Sequence, residues 1–265
     1  MSWQIVKHAF SMVFGNLSDA IKASLVPILV AVAAVLIAVL VFDMPLSMMS
    51  GAGGPGQMMM EPPASAYLGL LLLLVVYLFV FGWIAVTWHR YVLLEEYPAS
   101  VPAIGGRPIW PYIGKSILIG LIVVVIAIPL FFIVGLLGAG VMMGGGGMGG
   151  AMVVGTIIGL GIGAVLTWLW FRFAIVLPGT AIGKPMKAGE GWNATKALSG
   201  TIFQASLIIV GINIVASLVV GVVSAGVPIL GAILNLGVTW VTLMVGASLL
   251  TTLYGHIVEG RPLID

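Results

Sequence analysis

Six long apolar stretches, separated by short polar connections, dominate the pattern of this sequence. Each is close to the roughly 20 residues that a helix needs to cross the hydrocarbon core of a bilayer. The pattern predicts transmembrane helices at Ser24–Phe42, Ala66–Trp88, Ser116–Gly138, Met152–Leu177, Gln204–Ser224 and Val227–Tyr254. We therefore expect an all-α integral membrane protein that forms a single polytopic membrane domain over residues 1–265.

The segment before the first span has a different pattern, with apolar residues recurring at helical spacing and polar residues on the other side. The apolar positions are Trp3, Val6, Phe10, Val13, Phe14 and Leu17. Such a pattern is typical of an amphipathic helix that lies in the membrane interface. We expect this helix over residues 1–20, as an anchor for the first span or as a docking surface for a partner.

The composition excludes most soluble functions. Of 265 residues, 61% are apolar and 7% are charged, and the mean hydropathy is +1.25. A soluble domain has about 25% charged residues, so a soluble enzyme or a nucleic-acid-binding domain is excluded. The absence of Cys excludes thiolate metal sites and Cys nucleophiles. We expect neither a cofactor nor a nucleic-acid partner.

The positive charges divide the two faces of the membrane. With six spans, all ten Lys and Arg residues fall on one side, whereas Asp43 and Glu61 lie on the other. Cytoplasmic loops carry an excess of Lys and Arg in membrane proteins. We therefore expect a multi-pass protein of a bacterial inner membrane, with both termini in the cytoplasm.

A tripeptide of Gly, a cation and Pro occurs three times, at 106–108, 183–185 and 260–262, so that consecutive copies are 77 residues apart. Each copy follows a span that returns to the basic side, which predicts three parallel-repeat helical hairpins. We expect these hairpins at about 24–88, 116–177 and 204–254, followed by a C-terminal tail at 255–265. Each tripeptide could serve as a turn that ends its hairpin, or could hold its cation at headgroup depth.

Five cations are candidates for binding anionic lipids or a partner: Arg90, Arg107, Arg172, Lys184 and Arg261. Arg172 is the one cation within a predicted span, and aromatic residues surround it in the sequence. We expect its side chain to reach the membrane surface through an interfacial aromatic belt. Glu95 and Glu96 are expected to balance the charge of Arg90 and Arg107, because adjacent carboxylates seldom form an acid–base pair.

Neutral polar and small residues within the spans suggest contacts between helices. Asn213 and Asn235 lie in the last two spans, where amides need hydrogen-bond partners. We expect them to form interhelical polar contacts, with the lining of a narrow polar path as the alternative. Gly155, Gly159 and Gly163 share one helix face and predict close helix packing.

Ten of the fourteen Met residues fall on the side opposite the cations, in two Gly-rich connections. Thioether sulfurs are soft ligands that favour Cu(I). The candidate ligands are Met58, Met59, Met60, Met142 and Met143. The alternative is a pair of adaptable apolar loops that contact headgroups or a neighbouring protein, with no metal bound.

Two segments carry a resemblance to a known group of proteins. They are Asn16–Pro27, before the first span, and Arg172–Thr195, where Leu-Pro after an Arg-bearing helix end is followed by Trp-x-x-Thr. The chain resembles the YciC-like bacterial inner-membrane proteins and the membrane domains attached to some glycerophosphodiesterases. The resemblance implies a six-helix fold and a location in the bacterial inner membrane, but it implies no catalytic residue.

Two hypotheses for the function follow from these patterns. The first is a non-enzymatic accessory protein that associates with a larger membrane complex or with anionic lipids. The alternative is a facilitator or permease for a small neutral solute or a metal ion, with copper at the Met-rich loops as its most specific form. A proton-coupled transporter is disfavoured, since the spans contain no carboxylate.

Overall fold

The computed structural model describes residues 1–45, 63–141, 143–144 and 147–263, and these residues contain helices and no strands. In chain order, the α-helices are α1 (Ser2–Gly15), α2 (Leu17–Leu40), α3 (Ala64–Leu94), α4 (Ile109–Val141), α5 (Gly147–Ala174), α6 (Val176–Ala181), α7 (Ala188–Ala194), α8 (Ser199–Gly226) and α9 (Pro228–Ile257). A short 3-10 turn at Lys196–Leu198 connects α7 to α8.

Six of these helices, α2, α3, α4, α5, α8 and α9, are long and apolar enough to cross a membrane. The prediction of a multi-pass, all-helical protein is therefore confirmed. Except for α5, which ends at Ala174, the observed helices extend several residues past the predicted spans where the cations lie. We call that end of the bundle the basic end. The three-hairpin repeat stays a prediction.

The N-terminal segment is a helix that packs on protein. It ends at Gly15 rather than at residue 20, and α2 begins at Leu17, seven residues earlier than the first predicted span. Its buried side chains are Ile5, Val6, Ala9 and Val13, and they face α8 and α9. Trp3 and Phe14 remain more than half exposed. The position of α1 in a membrane interface stays a prediction.

The two halves of the bundle differ in packing. The largest buried side chains of α3, α4 and α9 are Trp88, Tyr112 and Tyr254, all close to the basic end. Toward the opposite end the helices expose large apolar residues, such as Val125, Leu218 and Ile229. The most apolar stretch of α3 is 44% buried within the protein, but that of α8 is only 6% buried. The protein core therefore lies at the basic end.

A short buried helix, α6, forms the centre of this core. Every residue of α6 is buried, and the helix packs against α3, α4 and α9. Pro178 has no N–H group to bond the carbonyl of Ala174, four residues earlier, which explains why α5 ends there. Gly191 of α7 lies directly against Val176 and Ile175, so that α7 covers the start of α6.

Candidate functional site

The carboxylate of Glu96 holds two of the five candidate cations. The Arg90 guanidinium donates to both of its oxygens, at 3.0 and 2.5 Å, and to the carbonyl of Ala181 at 2.9 Å. Arg107 forms an ion pair with the same carboxylate. The hydrogen bond from Arg90 is the main reason that the pKa of Glu96 lies below its ordinary value; burial, the next largest cause, opposes this lowering, and Arg107 adds to it.

Glu259 holds two further cations. Lys184 Nζ lies 3.5 Å from one of its oxygens, and Arg261 Nε lies 2.8 Å from the other. Arg261 also donates to the carbonyl of Leu93 at 2.9 Å, which ties the C-terminal tail to the end of α3. Four candidate cations are thus partly neutralised by carboxylates of the same chain.

The glycines of the three tripeptides share one backbone conformation. The φ angles of Gly106, Gly183 and Gly260 are +71°, +81° and +68°. Residues with a Cβ atom rarely adopt this left-handed region. A turn that requires Gly therefore stands at each of the three positions, which agrees with the interpretation of the tripeptides as turns.

The expectation for Arg172 is wrong. Its side chain is only 4% exposed, and its guanidinium stacks 3.5 Å from the ring centroid of Trp192. It donates to Thr195 Oγ1 at 3.1 Å and to the carbonyl of Trp192 at 2.8 Å. Because α7 brings Trp192 over the end of α5, the cation is enclosed within the protein and is not free to contact headgroups.

A buried polar network that the sequence did not reveal joins α3, α4 and α9. Thr251 donates its only hydroxyl proton to the carbonyl of Ala247, so it must accept the bond at 2.7 Å from His89 Nδ1. His89 Nε2 is then the acceptor for the hydroxyl of Tyr112, at 3.1 Å. The partners of His89 lie 23 and 162 residues away in the sequence, and helical periodicity carries no signal for such pairings.

A cavity of about 960 Å³ lies between α5, α8 and α9. Its lining is mostly aliphatic and aromatic, contains no charged residue, and includes Phe10 from α1. The polar side chains of the lining include Thr167, Asn213, Ser217 and Thr242. Because α8 contacts both α5 and α9, we describe this region as a groove with α8 as its floor and α5 and α9 as its walls.

The two asparagines have different environments. Asn213 donates to the carbonyl of Ile209 at 2.9 Å and accepts a hydrogen bond from Thr242 Oγ1 at 3.1 Å, which links α8 to α9. Asn235 is exposed and makes no side-chain hydrogen bond to any described residue. The expectation of an interhelical contact within the chain is therefore wrong for Asn235, and this residue does not line the cavity.

The prediction of close packing at Gly155, Gly159 and Gly163 is also wrong. A Cβ atom added at any of these positions would meet nothing within 4 Å. Close approaches between spans are instead found at Gly69, which faces α2, at Gly82, which faces Ile113 of α4, and at Gly231, which faces Ser224 of α8. The glycine face of α5 therefore has no neighbouring helix among the described parts of the chain.

The candidate copper ligands Met58, Met59, Met60 and Met142 lie outside the described residues. Met143 is 90% exposed. Within the described ranges, no group of three or more His, Cys, Asp or Glu residues is arranged to hold a metal ion. The copper hypothesis stays a prediction.

Comparison with protein-family models, with curated proteins and with solved structures finds no match for this chain.

Proposed function

We propose that this protein is a non-enzymatic accessory protein of a bacterial inner membrane, with both termini cytoplasmic, and that it binds a transmembrane helix of a larger membrane complex. The partner helix would lie in the groove between α5 and α9, in the half away from the basic end. The exposed amide of Asn235 is the observation that carries this proposal.

The position of Asn235 is costly for a protein surrounded only by lipid. It is seven residues from the start of α9, which corresponds to about 10 Å of helix. Its neighbours Ile233 and Leu236 are 61% and 71% exposed, as expected for side chains that face hydrocarbon. An amide in hydrocarbon needs a hydrogen-bond partner, and helix association in membranes commonly supplies one.

The opposite wall of the groove favours a helix as that partner. Gly159 and Gly163 lie two turns and one turn before Thr167 on the same face of α5, and Thr167 lines the cavity. Small residues allow two helix backbones to approach closely, and such approaches are a main source of helix association in membranes. The open glycine face and the unpaired amide thus support the same kind of partner.

Two further observations favour the embedded groove over other sites. Four cations of the basic end, Arg90, Arg107, Lys184 and Arg261, are already paired with Glu96 and Glu259, which reduces their attraction for anionic headgroups. Both ring nitrogens of the buried His89 are used in hydrogen bonds that join helices, and we assign it no catalytic role.

Crosslinking with single cysteines tests the proposal, because the chain has no natural Cys. Asn235→Cys would be compared in native membranes with Ile128→Cys, a control on α4 where the side chain is 63% exposed. We expect a membrane protein of another sequence to be crosslinked at 235 and not at 128. Equal labelling at both positions, or a crosslink only to a second copy of this chain, would contradict the proposal.

Substitution of the amide gives an independent measurement. An interhelical hydrogen bond contributes about 0.6–2 kcal/mol, so Asn235→Leu should weaken recovery of the crosslinked partner in mild detergent by about 3- to 30-fold. Ile233→Leu on the same helix is the matched control and should leave recovery unchanged. If both variants recover the partner as the wild type does, Asn235 is not part of the interface.

A further inference from the structure

The cavity near Phe10 has polar groups whose hydrogen bonds are not all satisfied by the described residues. The carbonyl of Ile209 can only accept, so the Asn213 atom that contacts it is the amide nitrogen. The second proton of that nitrogen has no acceptor among the described residues. Ser217, one turn further along α8, also makes no hydrogen bond to a described residue. The cavity therefore offers unused donors, these two among them, within a mostly apolar lining.

These donors determine which chemistry fits the cavity. A lining without charged residues suits hydrocarbon, and the two donors suit uncharged oxygen acceptors such as ester carbonyls. A volume of about 960 Å³ is within the range of about 300–1,000 Å³ found for ligand sites. Water fits less well, since it occupies cavities with several polar partners.

A cation lies beside the mouth of the cavity. A shallow depression lined by Lys7, Ser11 and Phe14 adjoins it, and Phe10 and Ile212 line both. Lys7 is exposed and forms no ion pair with any described residue, unlike the cations held by Glu96 and Glu259. Ile212 is the sequence neighbour of Asn213, so the depression that contains Lys7 and the cavity that contains Asn213 share one stretch of α8.

We infer that the cavity binds one glycerophospholipid molecule. Its acyl chains would occupy the apolar lining, its ester carbonyls would accept from Asn213 and Ser217, and its phosphate would lie against Lys7. The arrangement from cation to donors to apolar surface follows the order of phosphate, esters and chains in such a lipid. Asn235 does not line this cavity, although the lipid and the proposed partner helix would share the groove, so the lipid site is tested on the isolated chain without a partner.

Native mass spectrometry of the full chain in mild detergent tests this inference with three defined lipids. Dioleoylphosphatidylglycerol supplies phosphate and esters, its dialkyl ether analogue lacks the carbonyls, and dioleoylglycerol lacks the phosphate. We expect one phosphatidylglycerol per chain, and weaker binding of both analogues. Equal binding of all three lipids, or binding seen only when lipid is in as large an excess over protein as the detergent, would overturn the inference.

Two pairs of variants place the site. Gly237 lines the cavity and has open space beside it, so Gly237→Leu should fill part of the cavity and reduce lipid occupancy. Gly161→Leu, also next to open space but outside the lining, is its control. Lys7→Gln should weaken phosphatidylglycerol binding about fivefold, the effect of one cation near a phosphate surface, whereas Lys187→Gln should not.

Asn213→Leu is a second variant of the site that places no new side chain at a glycine, so the test does not depend on the folding of Gly237→Leu alone. It should lower the affinity for the ester lipid toward that for the ether analogue while leaving the ether analogue unchanged. Size-exclusion elution at the wild-type volume establishes that each variant is folded. Unchanged lipid occupancy in folded Gly237→Leu and Asn213→Leu would show that the lipid binds elsewhere.

Discussion

Substitution of Arg172 by Met distinguishes an enclosed cation from one that reaches the membrane surface. The two side-chain hydrogen bonds of Arg172, to Thr195 and to the Trp192 carbonyl, contribute about 1.5–3 kcal/mol each. The stack on Trp192 adds about 2 kcal/mol. Removal of a buried charge also removes its desolvation cost of several kcal/mol. We expect Arg172→Met to lower the free energy of unfolding by about 3 kcal/mol as the balance of these effects.

Two measurements report this loss. The melting temperature in detergent, followed by tryptophan fluorescence, should fall by about 6–12 °C for a protein of this size. Hydrogen exchange should accelerate by about 100-fold at the amides of α7, because Arg172 attaches this helix to α5. The melting temperature of Arg172→Lys should lie between those of the wild type and Arg172→Met, since Lys keeps the charge but lacks the planar guanidinium that can form two hydrogen bonds at once.

The control for this experiment is Lys184→Met. Lys184 is 67% exposed and 3.5 Å from its carboxylate, and an exposed ion pair contributes about 0–1 kcal/mol. We therefore expect Arg172→Met to lower the melting temperature clearly more than Lys184→Met does. If Arg172→Met costs no more than Lys184→Met, and exchange in α7 stays slow, the enclosed stack does not stabilise the protein.

Two further substitutions test the packing and the charges of the basic end. Gly179→Ala would place a Cβ atom 2.7 Å from the Lys184 carbonyl oxygen and 2.9 Å from the Tyr254 ring, so it should lower the free energy of unfolding by about 1–3 kcal/mol. The control is Gly155→Ala, whose added Cβ meets open space. Equal melting temperatures of the two variants would contradict this prediction. The pKa of Glu96 lies below its ordinary value of 4.5, so its contribution to stability is present above that pH and is lost as the pH falls through the lowered pKa. Melting curves from pH 7 to 3 should therefore show Glu96→Gln less stable than the wild type at pH 7 and equal to it at the acid limit, whereas a constant difference would contradict the assignment.

The number and order of the spans could be read from the sequence because hydrocarbon imposes both length and apolarity on a crossing helix. That carboxylates at 95–96 would balance Arg90 and Arg107 was also accessible, since these residues lie within one connection and its flanks, but that Glu96 alone makes both ion pairs was seen only in the structure. These features depend on residues that are close in the chain or on a property of a whole segment.

The environment of Arg172 could not be read in the same way. Its sequence neighbour Trp168 does lie under the guanidinium, 5.2 Å from the ring centroid, but the closer ring, at 3.5 Å, is that of Trp192, 20 residues further along. The glycine face of α5 shows the same limit, because a small-residue pattern is identical whether or not a helix lies against it. Which pairs of helices meet is a property of the assembled bundle.

The buried helix α6 has a consequence for any molecule that enters the cavity. A helix without an exposed residue stands at the middle of the basic end, and none of its residues contributes to the cavity wall. Movement along the axis of the bundle toward that end would require this densely filled region to come apart. Lateral exchange with the surrounding leaflet needs no such rearrangement, so we expect the occupant to arrive and depart sideways, within the plane of the membrane.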